Sequence, residues 1–293
     1  MWIDSFLDYL QLERNYSQRT IEAYGESLRG FEEYFKKVED NVGWQDIDVD
    51  IIRNWVMKQV EEKYKPATVN RNLSALRSFY TYLLKKGLVT INPAVKVKGP
   101  KKSKPLPYFL KESETEHLME DSLYPEGYLG LRDRTIITMF YETGVRLSEL
   151  EGLDCSDVSL QSCQLKVTGK RNKQRIVPFG PSLKQLLEEY LQERNAQEVI
   201  DSDALFLNRN GGRLSKGSIG ALTHRYLSMV TTMKKRSPHV LRHTFATQIL
   251  NHDGDLRAVK ELLGHESVAT TEIYTHTTFE ELKKIYKQAH PRS

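Results

Sequence analysis

The chain has 293 residues, of which 39% are apolar and 28% charged, so it can bury two hydrophobic cores and has the composition of an ordinary folded protein. It lacks the run of about 18 apolar residues needed to cross a bilayer, and the opening MWIDSFLDYLQLERN carries acids without a basic n-region, so the expectation is a cytoplasmic protein with no membrane partner. Two cysteines, Cys155 and Cys163, cannot build a disulfide framework, and without a CxxC or a histidine pair nearby they make no metal site.

The net charge is only +4, but its distribution is informative. Three basic runs contain no acid: KVKGPKKSK at 96 to 104, KVTGKRNKQR at 166 to 175 and MKKRSPHVLRH at 233 to 243. Single runs of this kind are usually solvated loops; three of them point to a polyanion.

In chain order, the first hundred residues read as helices separated by turns. Ser17 is placed to cap a helix carrying Ile21, Tyr24, Leu28, Phe31 and Phe35 at spacings of three and four. Asp50 to Glu62 repeats the pattern with Ile52, Trp55, Val56 and Val60, and a long helix from Ala67 carries Val69, Leu73, Leu76, Phe79, Tyr80 and Leu83 before Gly87 stops it. The opposite face of that helix holds Thr68, Asn70, Arg71, Ser74 and Arg77, side chains suited either to solvent or to a nucleic-acid backbone. Pro93, Pro100, Pro105 and Pro107 then break helical periodicity. The expected division is a helical domain over 1–98, a basic linker over 99–107 and a second domain over 108–293.

In the second domain, Ser113 and Glu116 suggest a capping box, and Arg132 to Glu142 a helix that Gly144 interrupts. The period then changes. LQSCQLKVTG and KQRIVPFG alternate around a turn at Lys170 to Asn172, the signature of a β-hairpin. Helices return from Ser182, with a short strand expected at Leu205 to Leu207. The fold class is therefore mainly α (α+β): an all-helical N-terminal domain and a mostly helical second domain with a small antiparallel sheet.

Four segments carry the chemistry: TGVRLSEL (143 to 150), VTGKRNKQR (167 to 175), HVLRHTFAT (239 to 247) and LLGHESVATTEIY (262 to 274). Each residue has a plain structural reading. Arg146 could pair with Glu149, Lys170 could be a solvated hairpin tip, His239 and Arg242 share one face of a helix N-terminus, and His265 could face a helix C-terminus. Together they suit attack of the Tyr274 oxygen on a phosphodiester. A phenol with pKa near ~10 needs cationic neighbours or a base. Two guanidiniums can neutralise a pentacoordinate phosphate without a metal, and a lysine on a hairpin can protonate the leaving oxygen. Metal-dependent hydrolysis would need clustered carboxylates or closely spaced histidines, and no such motif is present.

The order Arg, Lys, His-x-x-Arg, His, Tyr resembles the tyrosine recombinase (phage integrase) family, and the likeness covers nearly the whole chain. The two-domain build and the closing HPRS look most like its bacterial Xer branch. The resemblance implies a core-binding domain followed by a catalytic domain whose segment at about 277–293 is exchanged between protomers, with Thr278 and Glu281 capping its final helix. It makes Arg146 and Arg242 the phosphate-clamping arginines, Lys170 the general acid, His239 an aid to proton transfer, His265 a phosphate ligand and Tyr274 the nucleophile. Arg171 stands where the family often has glycine, which leaves Lys173 as an alternative donor. It further implies double-stranded DNA with a specific recombination site, a 3′-phosphotyrosyl intermediate, a Holliday junction, a homo- or hetero-tetramer with a second recombinase on two duplexes, a possible DNA translocase partner, and no cofactor. Dimer resolution is the expected role, and a mobile-element integrase, a type IB topoisomerase or a non-catalytic DNA-binding accessory protein are the competing readings.

Overall fold

The computed structural model describes residues 1–38, 42–101, 108–169, 172–251 and 262–263. The chain divides into two compact units, Met1–Pro105 and Leu106–Ser293. Among the described residues no helix is long and apolar enough to cross a membrane.

The first unit is built from α1 (Trp2–Leu12), α2 (Gln18–Val38), α3 (Val49–Glu61) and α4 (Pro66–Lys85). Local chemistry sets their ends. The Asp48 carboxylate accepts from the N–H groups of Asp50 and Ile51 at 2.9 and 2.8 Å and so starts α3. Pro66 opens α4, where its missing N–H costs nothing. Gly87 adopts φ +69° just past the end of α4, as its position in the sequence predicts.

The core of this unit is aromatic. Phe31 is fully buried, with its ring centroid 5.4 Å from Phe35, 5.7 Å from Trp44 and 4.9 Å from Trp55. Burial of one such ring stabilises the fold by about 1.5–3 kcal/mol. Helix α1, whose Ile3, Phe6 and Leu10 complete this core, follows the same spacing of three and four in the sequence. The polar face expected on α4 is only partly available. Arg77 donates from Nε to Ala94 O at 3.1 Å and from Nη2 to Val97 O, and Asn70 donates to Pro66 O and Pro100 O at 2.7 and 2.9 Å. Both residues staple the following segment to the helix, whereas Arg71 and Ser74 stay exposed.

The second unit contains α5 (Glu112–Leu118), α6 (Tyr128–Thr143), α7 (Leu147–Glu151), a three-stranded antiparallel sheet, α8 (Pro181–Asn195), α9 (Lys216–Val230) and α10 (Pro238–Asn251). Helix α6 is buried along most of its length and packs against α8 and α10. The sheet orders β1 (Val158–Ser159), β2 (Gln164–Thr168) and β3 (Gln174–Pro178). In the hairpin Leu165 faces Val177 and Val167 faces Arg175, which puts Leu165, Val167 and Val177 on the core side.

Two local expectations shift. The chain enters α5 two residues earlier than Ser113 predicts, with the Glu114 carboxylate accepting the Lys111 N–H at 2.9 Å. Leu205 to Leu207 is buried but forms no strand, only isolated bridges from Ala204 to Asp154 and from Leu207 to Arg213. A tight turn follows at once, in which the Asn208 side chain accepts from Asn210 N and Gly212 N, so the pairing has no room to extend.

Candidate active site

Three of the six residues singled out in the sequence fall within the described residues: Arg146, His239 and Arg242. Lys170, His265 and Tyr274 lie outside them, as do Arg171, the Thr278–Glu281 cap, residues 102–107 of the linker and the whole of the 277–293 segment.

Arg146 stands between α6 and α7 because Gly144 stops α6 in the left-handed conformation, at φ +59°. A side chain there would also collide: an added Cβ would lie 2.5 Å from Phe245 Cδ1 and 2.8 Å from Leu263 Cδ2. The ion pair with Glu149 is present. The Arg146 backbone N–H donates to Glu149 Oε2 at 2.8 Å and Nη1 to Oε1 at 2.7 Å.

Glu149 has a second cationic partner. From β3, Arg175 donates Nη1 to Oε1 at 2.8 Å and Nη2 to Oε2 at 2.9 Å, the bidentate geometry that matches a planar fork to a carboxylate. The Glu149 side chain is only 1% exposed. Burial pushes its carboxyl up, but the Arg175 hydrogen bonds, the Arg146 N–H, the charge of Arg175 and the Arg146 side chain outweigh that and hold it at about 2.

Arg242, on the second turn of α10, is buried and donates Nη1 to Gly144 O and Nη2 to Leu263 O. Burial and then the positive field of Arg146 lower its pKa to about 10, which still leaves it charged at neutral pH. His239 lies one helical turn before Arg242. Partial burial of its ring, with the charges of Arg242, Lys235 and Arg146, lowers its pKa, so it is a neutral imidazole near pH 7. His243 behaves likewise, through partial burial and the fields of His239, Arg242 and Lys235. That Arg146 acts electrically on both His239 and Arg242 brings α10 and the α6–α7 junction to one place.

Sequence reasoning passed over two members of this cluster. Glu149 was legible only as the structural partner of Arg146, and Arg175 only as one charge in a basic run. The signal for Arg175 was available in the strand period: it shares the inward register with buried Val177, while Ile176 between them is exposed. Among the described residues no group of three or more His, Cys, Asp or Glu could hold a metal ion. What converges here is positive charge and hydrogen-bond donors around one shared carboxylate.

Comparison with known proteins accords with that chemistry. The profile of the phage integrase family matches residues 108–281, and that of the phage integrase N-terminal SAM-like domain matches residues 3–87. The chain is 40% identical to the tyrosine recombinase XerC of Pelotomaculum thermopropionicum, across 99% of this chain and 98% of the relative. It is 38% identical to the XerC of Oceanobacillus iheyensis, covering 100% and 97% respectively. Among solved structures, the XerH site-specific recombinase bound to a palindromic difH substrate superposes with a TM-score of 0.76 at 25% identity, over 97% of this chain and 93% of that one. The chain belongs to the phage integrase family and is a tyrosine-type site-specific recombinase.

Proposed function

We propose that this chain cuts and rejoins duplex DNA at a specific site through a covalent phosphotyrosyl intermediate, with Arg146, Lys170, His239, Arg242, His265 and Tyr274 as its catalytic set. The Tyr274 oxygen attacks the scissile phosphorus, the P–O5′ bond breaks, and the strand is left joined to the tyrosine through a 3′-phosphate. The departing 5′-oxygen takes its proton from Lys170. In the second half a 5′-hydroxyl from a partner strand attacks the phosphotyrosyl phosphorus and the tyrosine leaves. Bond energy is carried in the adduct, so the cycle balances without ATP.

The observation that carries this reading is the cluster of Arg146 and Arg175 on the Glu149 carboxylate, with buried Arg242 within reach of their charges. Such a group repels itself, and an anion between the two clamping guanidiniums relieves that repulsion. Neutral His239 beside them can accept a proton, or relay one, as the phenol ionises. The first unit acts as the core-binding domain, with exposed Arg71 and Ser74 of α4 among its DNA-facing side chains. Relatives over the full length favour an Xer-type recombinase working in dimer resolution over a mobile-element integrase, with four protomers, identical or of two kinds, on two duplexes.

The test is covalent capture. Incubation with a library of nicked duplexes of random sequence, denaturation and sequencing of protein-linked DNA is expected to return one enriched site. Tyr274→Phe is expected to bind that site and form no adduct. Undiminished adduct from Tyr274→Phe would remove the tyrosine from the mechanism.

A further inference from the structure

Two consecutive main-chain carbonyls, those of Leu262 and Leu263, are each held by an arginine from a different element. Arg175 of β3 donates its Nε–H to Leu262 O at 2.9 Å, and Arg242 of α10 donates to Leu263 O. Carbonyls in the last turn of a helix lack an intrahelical donor, and in the sequence a glycine, Gly264, follows these two residues directly. The seat below is apolar and closely fitted. Leu262 and Leu263 are 1% and 5% exposed, and Leu263 lies against Gly144, where no Cβ could be added.

The remaining edge of the Arg175 guanidinium is the one that grips Glu149, with Nη1 and Nη2 at 2.8 and 2.9 Å. Glu149 in turn accepts from the backbone and side chain of Arg146. One rigid planar group therefore joins three segments: the leg at 262–263, the carboxylate at the start of α7, and the arginine at the α6–α7 junction. Its Nε holds the leg while Nη1 and Nη2 together grip the carboxylate, and an ammonium cannot reproduce that division.

We propose that Arg175 is a positioning residue for the recombination chemistry, a latch that makes the placement of Arg146 depend on docking of the Leu262–Leu263 leg. That leg runs on in sequence into His265 and, nine residues later, Tyr274. Seating it completes the hydrogen bonding of Arg175, which fixes Glu149 and through it Arg146. A protomer whose leg is unseated thus has a loosened clamp. The proposal rests on the reading of the chain as a phosphotyrosyl recombinase, while the latch itself has a readout that needs no catalysis.

The experiment compares the wild-type full chain with Arg175→Lys, which keeps the charge beside Glu149, and Arg175→Gln, which keeps a donor without the charge. Thermal melting and DNA titration establish that each variant folds and binds. Single-turnover adduct formation at saturating DNA is expected to fall roughly tenfold to a hundredfold in both variants, the scale on which small misplacements act, with the half-saturating DNA concentration unchanged. Trypsin is expected to remove the chain beyond Asn251 faster than in the wild type while leaving residues 1–251 intact. Full recovery of rate and protease resistance by Arg175→Lys would overturn the latch, since a bare counter-charge would then suffice; so would a loss that appears only as weaker DNA binding or a lower melting temperature. If the wild type itself forms no adduct, the recombinase reading fails and the protease comparison still decides the latch.

Discussion

The two units handle buried polarity in opposite ways. In the first, Ser27, Asn72 and Gln59 form a neutral chain inside the helical core, with Ser27 Oγ to Asn72 Oδ1 at 2.8 Å and Asn72 Nδ2 to Gln59 Oε1 at 2.6 Å. Donors there meet acceptors, and the network fixes how α2, α3 and α4 lie against one another. In the second, the Arg146 and Arg175 guanidiniums share one buried carboxylate while buried Arg242 is held by main-chain carbonyls, and positive charge remains in excess. The neutral network joins donors to acceptors with none left over, whereas the charged cluster holds more guanidiniums than carboxylates. The two clusters thus differ in kind, one neutral and balanced, the other cationic.

Substitutions can break that contrast, and the largest effect is expected in the aromatic core. Phe31→Ala should destabilise the protein by about 3–5 kcal/mol through lost burial and the cavity left behind, read as a shift in denaturant midpoint. At temperatures where the variant stays folded, its adduct rate at saturating DNA should match the wild type, because Phe31 belongs to the first unit's core. A matching loss of rate would show that the two roles are not separate.

Glu149→Gln tests the charged cluster next. The folded-state carboxyl is held at about 2 against an ordinary 4.5, so its contribution is complete above pH ~4.5 and disappears as pH falls towards ~2. That contribution is about 3 kcal/mol at neutral pH. The glutamine variant should be less stable at pH 7 and should lose the part of the acid dependence that lies in this window, measured by urea titration at several pH values. Equal slopes in both proteins would mean that the arginines do not depend on this carboxylate.

The smallest effect is expected from Asn72→Ala, which leaves Ser27 and Gln59 short of a partner and should cost about 1–3 kcal/mol. Its loss of stability relative to the wild type should be the same at every pH between about 3 and 7, since none of the three side chains titrates, whereas the loss in Glu149→Gln should shrink as pH falls below about 4.5. This pair of variants separates the neutral network from the ionic one by pH dependence alone.

Much of this was legible in the sequence. Helix α2 followed from apolar residues at spacings of three and four, the end of α4 from Gly87, and the hairpin from alternation on both sides of a turn. These are local properties, set by backbone sterics and side-chain periodicity within a dozen residues. Arg146, His239 and Arg242 were also chosen from short motifs, as candidates for holding a phosphate near helix starts. Arg77 shows the limit of such reading: on the helical wheel it belongs to a solvated face, yet the chain folds back and uses it to hold Ala94 and Val97.

From its residues alone the chain is specified as a mainly helical, two-domain protein with a tyrosine, a lysine, two histidines and two arginines in the order of a phosphoryl-transfer site. Only the tertiary structure decided that Arg146 and Arg175, 29 positions apart, share Glu149, and that Leu262 and Leu263 rest on Arg175 and Arg242. The reason is physical: periodicity reports which face of an element is buried, but the partner that a buried charge meets is set by packing between elements distant in sequence.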